Sequence, residues 1–222
     1  MTRNTLRSLA LGLAALALLL AFNGEGRGCP PPLCQPFEIG DARSLPWDGD
    51  EWRAVKTDYD INRLVEDTLA ILGPETPVIA RMETLRRATI YAVWAMIDEE
   101  VGVEVKDLKI ARELLTRLQT RAREAKGKAE ALALFDLGYL VENYRRATRK
   151  ADRAGLIGEL DGYGLIVKAI GLRGPDPEME FAAALITPEP KRDEHQQHVK
   201  KAFAGAMVNE RLARNLAKYF KR

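Results

Sequence analysis

The sequence predicts an all-α fold: a multi-helix bundle or irregular helical array built around a long αα-hairpin, preceded by a signal peptide and an irregular Pro/Gly-rich arm. Three observations carry this expectation. From Asp58 onward, apolar residues recur at three- and four-residue spacing, the period of one helix face. Two such stripes, Leu108, Ala111, Leu115, Leu118, Ala122, Ala125 and Ala133, Leu137, Leu140, Tyr144, Ala147, Ala151, are joined by a short turn at Gly127, as in paired antiparallel helices. Alternation is confined to residues 101–105, too short and isolated to find a ladder partner, so this segment reads as an extended connector.

Residues 1–23 read as a signal peptide. Arg3 and Arg7 precede an apolar run over residues 9–22, which stops at Asn23-Gly24-Glu25-Gly26. The run is shorter than the roughly 20 residues that span a bilayer. This places the protein outside the cytoplasm, in a periplasm or the extracellular space. Two alternatives stay open. The run is retained as an anchor, since no Ala-x-Ala follows it, or Cys29 is lipidated, with Gly28 before it but Arg27 and Gly26 where bacterial lipoproteins carry small and apolar residues. The leader also sets the charge balance. The chain holds 34 basic and 32 acidic residues, and the leader contributes two of the basic and none of the acidic ones. The remainder is neutral, and no global field favours nucleic acid as a partner.

Residues 24–57 form the arm. Its prolines and glycines, from Gly24 to Pro36, resist both helix and sheet. Phe37, Trp47 and Trp52 carry enough apolar area to dock the arm against the domain that follows. Cys29 and Cys34 bracket Pro30-Pro31-Pro32-Leu33. Extended polyproline would hold them about 15 Å apart, so a disulfide between them requires a turn within this loop. An oxidising compartment permits that bridge. A metal site at the same pair lacks a nearby histidine.

The helical domain occupies residues 58–222. Asp58 or Asp60 caps a first helix, whose Ile61, Leu64, Val65, Leu69 and Leu72 share a face and which Gly73-Pro74 ends through a left-handed glycine. Thr76 and Pro77 then start a long helix at its N-cap and first position. Its stripe of Val78, Met82, Leu85, Thr89, Val93 and Met96, widened by Ile90, Trp94 and Ile97, implies about 22 residues and 33 Å. The hairpin follows, its second helix running to about Arg153. Residues 131–147, with Leu137-Gly138 inside, resemble the first helix of a tetratricopeptide unit. Yet Lys150 takes the place of the expected second-helix alanine, and no copy recurs at the 34-residue period.

Six glycines lie between Gly155 and Gly174, around a short apolar helix containing Leu165 to Ile170. Gly162-Tyr163-Gly164 lacks the third glycine, preceding strand and Gly-Lys-Ser/Thr ending of a phosphate loop, so close packing or tight turns account for these glycines. Pro175 and Pro177 open a helix over residues 178–186, and two more helices, residues 192–205 and 208–220, complete the chain. Val199, Phe203, Ala206, Leu212, Leu216 and Phe220 form their apolar stripe.

Catalytic side chains are scarce. Beyond the leader the chain has one serine, Ser44, in the arm, and its two histidines are His195 and His198. A serine or cysteine hydrolase would have to bring these together across the domain. His195 and His198, three residues apart, share a helix face and are the candidate metal ligands, though a catalytic zinc needs three protein ligands and the family spacings His-Glu-x-x-His and Glu-x-x-His are absent. The surrounding segment, residues 191–198, is wholly polar and reads as a solvated face. Asp48-Gly49-Asp50-Glu51 starts like a calcium loop, but Trp52 and Tyr59 stand at the positions where an EF-hand needs oxygen ligands.

Residues 188–222 hold nine Lys/Arg against four Asp/Glu. Lys200, Lys201, Arg211, Arg214 and Lys218 form a candidate basic surface. It fits either peripheral contact with an anionic membrane or packing of the apolar stripe on the chain's own domain. The sequence thus predicts an exported, non-catalytic helical protein that binds another protein or an envelope component, with no cofactor. The alternative is an exported metal-dependent protein or enzyme holding a divalent metal at His195 and His198.

Overall fold

The structure, a computed structural model, describes residues 33–49, 51, 54–94, 108–148 and 150–220. The leader, Cys29, Trp52 and the connector at residues 101–105 lie outside the described residues. Regular structure among those described is helical: α1 Leu64–Ile71, α2 Val78–Thr89, α3 Lys109–Glu124, α4 Lys128–Ala147, α5 Lys150–Ile157, α6 Gly162–Arg173, α7 Pro177–Ile186, α8 Arg192–Ala206 and α9 Glu210–Tyr219. None of these helices is long and apolar enough to cross a membrane.

The αα-hairpin forms between α3 and α4. Gly127 turns the chain at φ +62°, a conformation open to glycine without a Cβ penalty. Leu108, Ala111, Leu114, Leu115 and Leu118 line the buried side of α3. The second helix departs from the narrow seam: residues 131–144 of α4 are buried on every side. It is the central helix of the molecule, packed by α2, α3 and α6. It also ends before the predicted Arg153. Thr148 is extended (φ −99°, ψ 150°) and its hydroxyl donates to the Tyr144 carbonyl at 2.7 Å, so a local side-chain bond replaces the next turn and α5 starts anew.

The most extensive helix pair is α4 with α6. Glycines make it possible. A Cβ at Gly138 would lie 2.6 Å from the Gly162 carbonyl oxygen, and one at Gly162 would lie 2.5 Å from that of Gly138. Here backbone rests on backbone.

Asp60 accepts from the Asn62 N–H and caps a 3-10 turn, Ile61–Arg63, from which α1 continues. The helix stops before Gly73-Pro74, but Gly73 is not left-handed. Thr76 does not cap α2; its hydroxyl reaches back to the Ile71 carbonyl at 2.5 Å and satisfies the end of α1. A tertiary contact serves α2 instead, with Glu178 Oε2 accepting from the Ile79 N–H at 3.2 Å. The long helix predicted from Thr76 is regular for 12 residues and then widens into a π turn, Ile90–Trp94. Met96 and Ile97 lie outside the described residues.

Helix α2 is not amphipathic: Arg81, Glu83 and Arg86 are as buried as Met82 and Leu85. The arm is the reason for two of them. It docks as Phe37 and Trp47 predict, and goes further, placing Leu33, Phe37 and Leu45 in the common core. An irregular segment has no ladder in which to pair its backbone groups. The charged side chains of α2 supply the partners. Glu83 Oε2 accepts from the Phe37 N–H at 3.0 Å, Arg86 donates to the Leu33 carbonyl at 3.0 Å, and Arg87 donates to the Leu45 carbonyl at 2.5 Å. Glu83 in turn holds Arg86 at 2.7 and 2.8 Å and Arg87 at 2.6 Å. Both guanidiniums lie over the Trp47 ring, 5.1 and 5.5 Å from its centre.

Helix α9 fastens the arm at its other end. Asn215 accepts from the Glu38 N–H at 2.9 Å and donates its amide to the Glu38 carbonyl at 3.0 Å. The Tyr219 hydroxyl donates to the Gln35 carbonyl at 2.5 Å, and its ring stacks on Phe37 at 5.3 Å. Cys34, in the same stretch, is disulfide-bonded.

Candidate functional site

Three helices converge on His198, and their caps set its surroundings. Asp161 accepts from the Gly164 N–H and starts α6, which carries Tyr163. Asp176 accepts from the N–H groups of Glu178 and Met179 and starts α7, which carries Glu180. Helix α8 carries Glu194, His198 and Lys201, at i, i+4 and i+7 on one face. The solvated-face expectation for residues 191–198 therefore fails at His198, which is 8% exposed while its neighbours Gln196 and Gln197 face solvent. Its ring is sheltered by two polar partners contributed by other helices.

These side chains form one continuous chain. Glu180 Oε2 lies 2.5 Å from His198 Nδ1, His198 Nε2 lies 2.9 Å from the Tyr163 hydroxyl, and that hydroxyl lies 2.7 Å from Glu194 Oε2. Lys201 meets the other Glu180 oxygen at 3.0 Å, and the Lys191 ammonium sits 4.7 Å from the centre of the Tyr163 ring. Tyr163 has a single proton to give. When Glu194 receives it, the phenol oxygen remains an acceptor facing the His198 ring. Burial, followed by the bond to Glu194, pushes the Tyr163 phenol well above its ordinary range. The hydrogen bond from Tyr163 lowers the exposed Glu194 carboxyl. The phenol is thereby held neutral, as a donor and not as a nucleophile.

His195 and His198, the alternative metal pair, are each engaged with other partners. Both nitrogens of His198 are engaged, while His195 donates Nδ1–H to the Ala184 carbonyl at 2.9 Å and rests against Phe220. Among the described residues no group of three or more His, Cys, Asp or Glu side chains gathers as a metal ion would require. Ser44 bonds to Thr84 at 3.2 Å, so its hydroxyl is engaged away from both histidines.

Glu180 and Lys201 also border a cleft of about 600 Å³ between α6, α7 and α8, with Ile170, Pro175, Pro177 and Ala204 in its walls. Gly205 lines it too, so close to α7 that a Cβ there would meet the Pro177 ring at 2.1 Å. Directly after α8 come the most exposed large apolar side chains described, Met207 at 87% and Val208 at 94%. Leu172, in α6 beside the lining residue Gly171, is 49% exposed.

Most of the candidate basic surface is paired with carboxylates of its own domain, while Lys201, Arg214 and Lys218 stay exposed. Lys201 pairs with Glu180, and Arg211 lies against Gly40. Arg214 meets Glu38 and Glu210, each at 2.6 Å, and Lys218 meets Glu38 at 3.0 Å. Bonds from Lys218 and Arg214 lower the Glu38 carboxyl. Lys200 is left facing solvent.

A second polar cluster, absent from the sequence reading, joins α2 to α4. Arg81 and Asp136, both buried, meet at 2.6 Å through Asp136 Oδ2, while Asp136 Oδ1 is buried with no hydrogen-bond partner among the described residues. Burial outweighs the attraction of Arg81 and Arg121 and raises the Asp136 carboxyl to about 6. The folded chain therefore binds this proton more tightly than the unfolded chain. Stability from this group is present below about pH 4 and lost as pH rises through about 6, by on the order of 3 kcal/mol. The melting-temperature difference between the wild type and Asp136→Asn, followed from pH 4 to 6.5, should move against the wild type as pH rises. A flat or opposite trend contradicts this assignment.

Sequence reasoning found His198 and Lys201 but missed Glu180 and Tyr163, because helix caps and crossings bring them together. The chain matches no family model, no curated protein and no solved structure.

Proposed function

We propose that the chain is an exported, non-catalytic helical module that binds another protein or an envelope component through the cleft between α6, α7 and α8. The observation that carries this reading is the exposure of Met207 and Val208, which follow the lining residue Gly205 of a cleft with apolar walls. Adjacent uncovered apolar side chains of this size mark contact surfaces on soluble proteins. Lys200 and Lys201 give the neighbouring stretch of α8 a cationic character. Export rests on the basic start and apolar run of residues 1–22.

The test is chemical crosslinking in the native host after fractionation, comparing the wild type with Met207→Asp/Val208→Asp. The double variant should keep the wild-type melting temperature within a few degrees and lose the crosslinked partner. An unchanged crosslinking pattern, or recovery of the protein in the cytoplasm, contradicts the proposal. A second reading, a metal-dependent protein or enzyme using His195 and His198, draws on the Glu180–His198–Tyr163–Glu194 chain, since such relays also serve acid–base chemistry. Unchanged metal content in His195→Ala/His198→Ala, measured by elemental analysis, removes the metal from that reading.

A further inference from the structure

The Arg81–Asp136 pair stands at a cleft of about 400 Å³ that also contains Leu72, Arg121, Ala129 and Leu132. That volume falls within the range of about 300–1,000 Å³ used by small-molecule sites. Most of the lining is aliphatic, contributed by the end of α1, the last turn of α3 and the first turns of α4.

Glu124 also lines the cleft, as an exposed carboxylate, and the buried polar groups are nearly all spoken for. Arg81 donates through Nε to the Thr76 carbonyl at 3.1 Å, through Nη2 to the Gly73 carbonyl, and through Nη1 to Asp136 Oδ2. Arg121 donates to the carbonyls of Leu69 and Leu72 at 3.3 and 3.0 Å, closing the end of α1. Both cations are therefore pinned. The exception is Asp136 Oδ1, an acceptor on a side chain 97% buried, in the lining of the cleft and without a donor. A buried carboxylate oxygen calls for a hydrogen-bond donor, and the described residues supply none.

We propose that this cleft binds a small neutral molecule, an apolar body bearing one hydroxyl or amide N–H that donates to Asp136 Oδ1. Neutrality follows from the neighbours: Arg81 and Arg121 are balanced by Asp136 and Glu124, so the lining carries no net charge for an ion to offset, and an ammonium group at Oδ1 would share the carboxylate with the Arg81 guanidinium. The site shares no lining residue with the α6–α7–α8 cleft and does not depend on the function proposed for it.

Benzyl alcohol, toluene and benzylamine serve as matched probes, titrated into the isotope-labelled purified chain while the resonances of Ala129, Leu132 and Ala133 are followed. Benzyl alcohol should move these resonances with a Kd at least tenfold below those of toluene and benzylamine. The double variant Arg81→Met/Asp136→Leu exchanges the ion pair for apolar groups of similar length, so neither charge is left buried alone. It should abolish the preference for the alcohol over toluene. Equal binding of toluene and benzyl alcohol to the wild type overturns the proposal, as does the absence of shifts at these three residues. Tighter binding of benzylamine overturns the neutral-donor assignment. The wild-type comparison stands even if the double variant does not fold.

Discussion

Glu83→Ala should cost the fold about 3–5 kcal/mol, the range for removing one partner from a buried ionic cluster. The size of the effect follows from what the carboxylate serves. It receives Arg86 through two bonds, Arg87 through one and the Phe37 N–H through another, with its own side chain and that of Arg86 fully enclosed. Alanine leaves the Arg86 guanidinium buried without its counter-charge and the Phe37 amide without an acceptor. Loss of the arm from the core should accompany the loss of stability, because Arg86 and Arg87 also hold the Leu33 and Leu45 carbonyls. Denaturant unfolding measures the first effect, and amide hydrogen exchange at Phe37 the second. A loss below about 1 kcal/mol, typical of surface pairs, would show that the cluster contributes little.

Gly138→Ala should destabilise by about 2–3 kcal/mol, in the upper range for over-packing. The sign is the informative part. Alanine is favoured over glycine in a helix interior by about 1 kcal/mol, so an open site would gain. At Gly138 the new methyl meets the Gly162 carbonyl, a backbone atom that cannot rotate away, along with Ile166 and Leu165. Gly155, inside α5, has nothing within 4 Å of the equivalent position. Gly155→Ala should therefore stabilise by about 0.5–1 kcal/mol. Opposite signs in thermal unfolding support the close α4–α6 crossing. Stabilisation by both substitutions would refute it.

The periodic parts of the fold were legible in the sequence. The two hairpin helices, the Gly127 turn, the short helix within the glycine-rich region and the helix opened by Pro177 all form, since each depends on neighbours in the chain. What was not legible depends on distant partners. Arg81, Glu83, Arg86 and Arg87 would read as a solvated helix surface in any local window; they are covered because the arm and Asp136 lie against them. A visible trace exists in retrospect: these charges point to several sides of α2, which leaves the helix no polar face of its own. The same holds at the candidate site. His198 and Lys201 share a helix face that spacing reveals, but Tyr163 lies 35 residues away and Glu180 18, brought in by crossings whose geometry no periodicity records. Thr76 and Thr148 show a smaller form of the problem, as each hydroxyl chose a preceding carbonyl over the role its position implied.

The clasp between the arm and α9 has a bearing on timing. Glu38 and Asn215 are 177 residues apart, and Gln35 and Tyr219 are 184 apart. During synthesis Phe37 and Glu38 leave the ribosome among the first residues of the domain, and their α9 partners leave among the last. The clasp therefore closes only after α9 is made, and contacts of such long range slow folding.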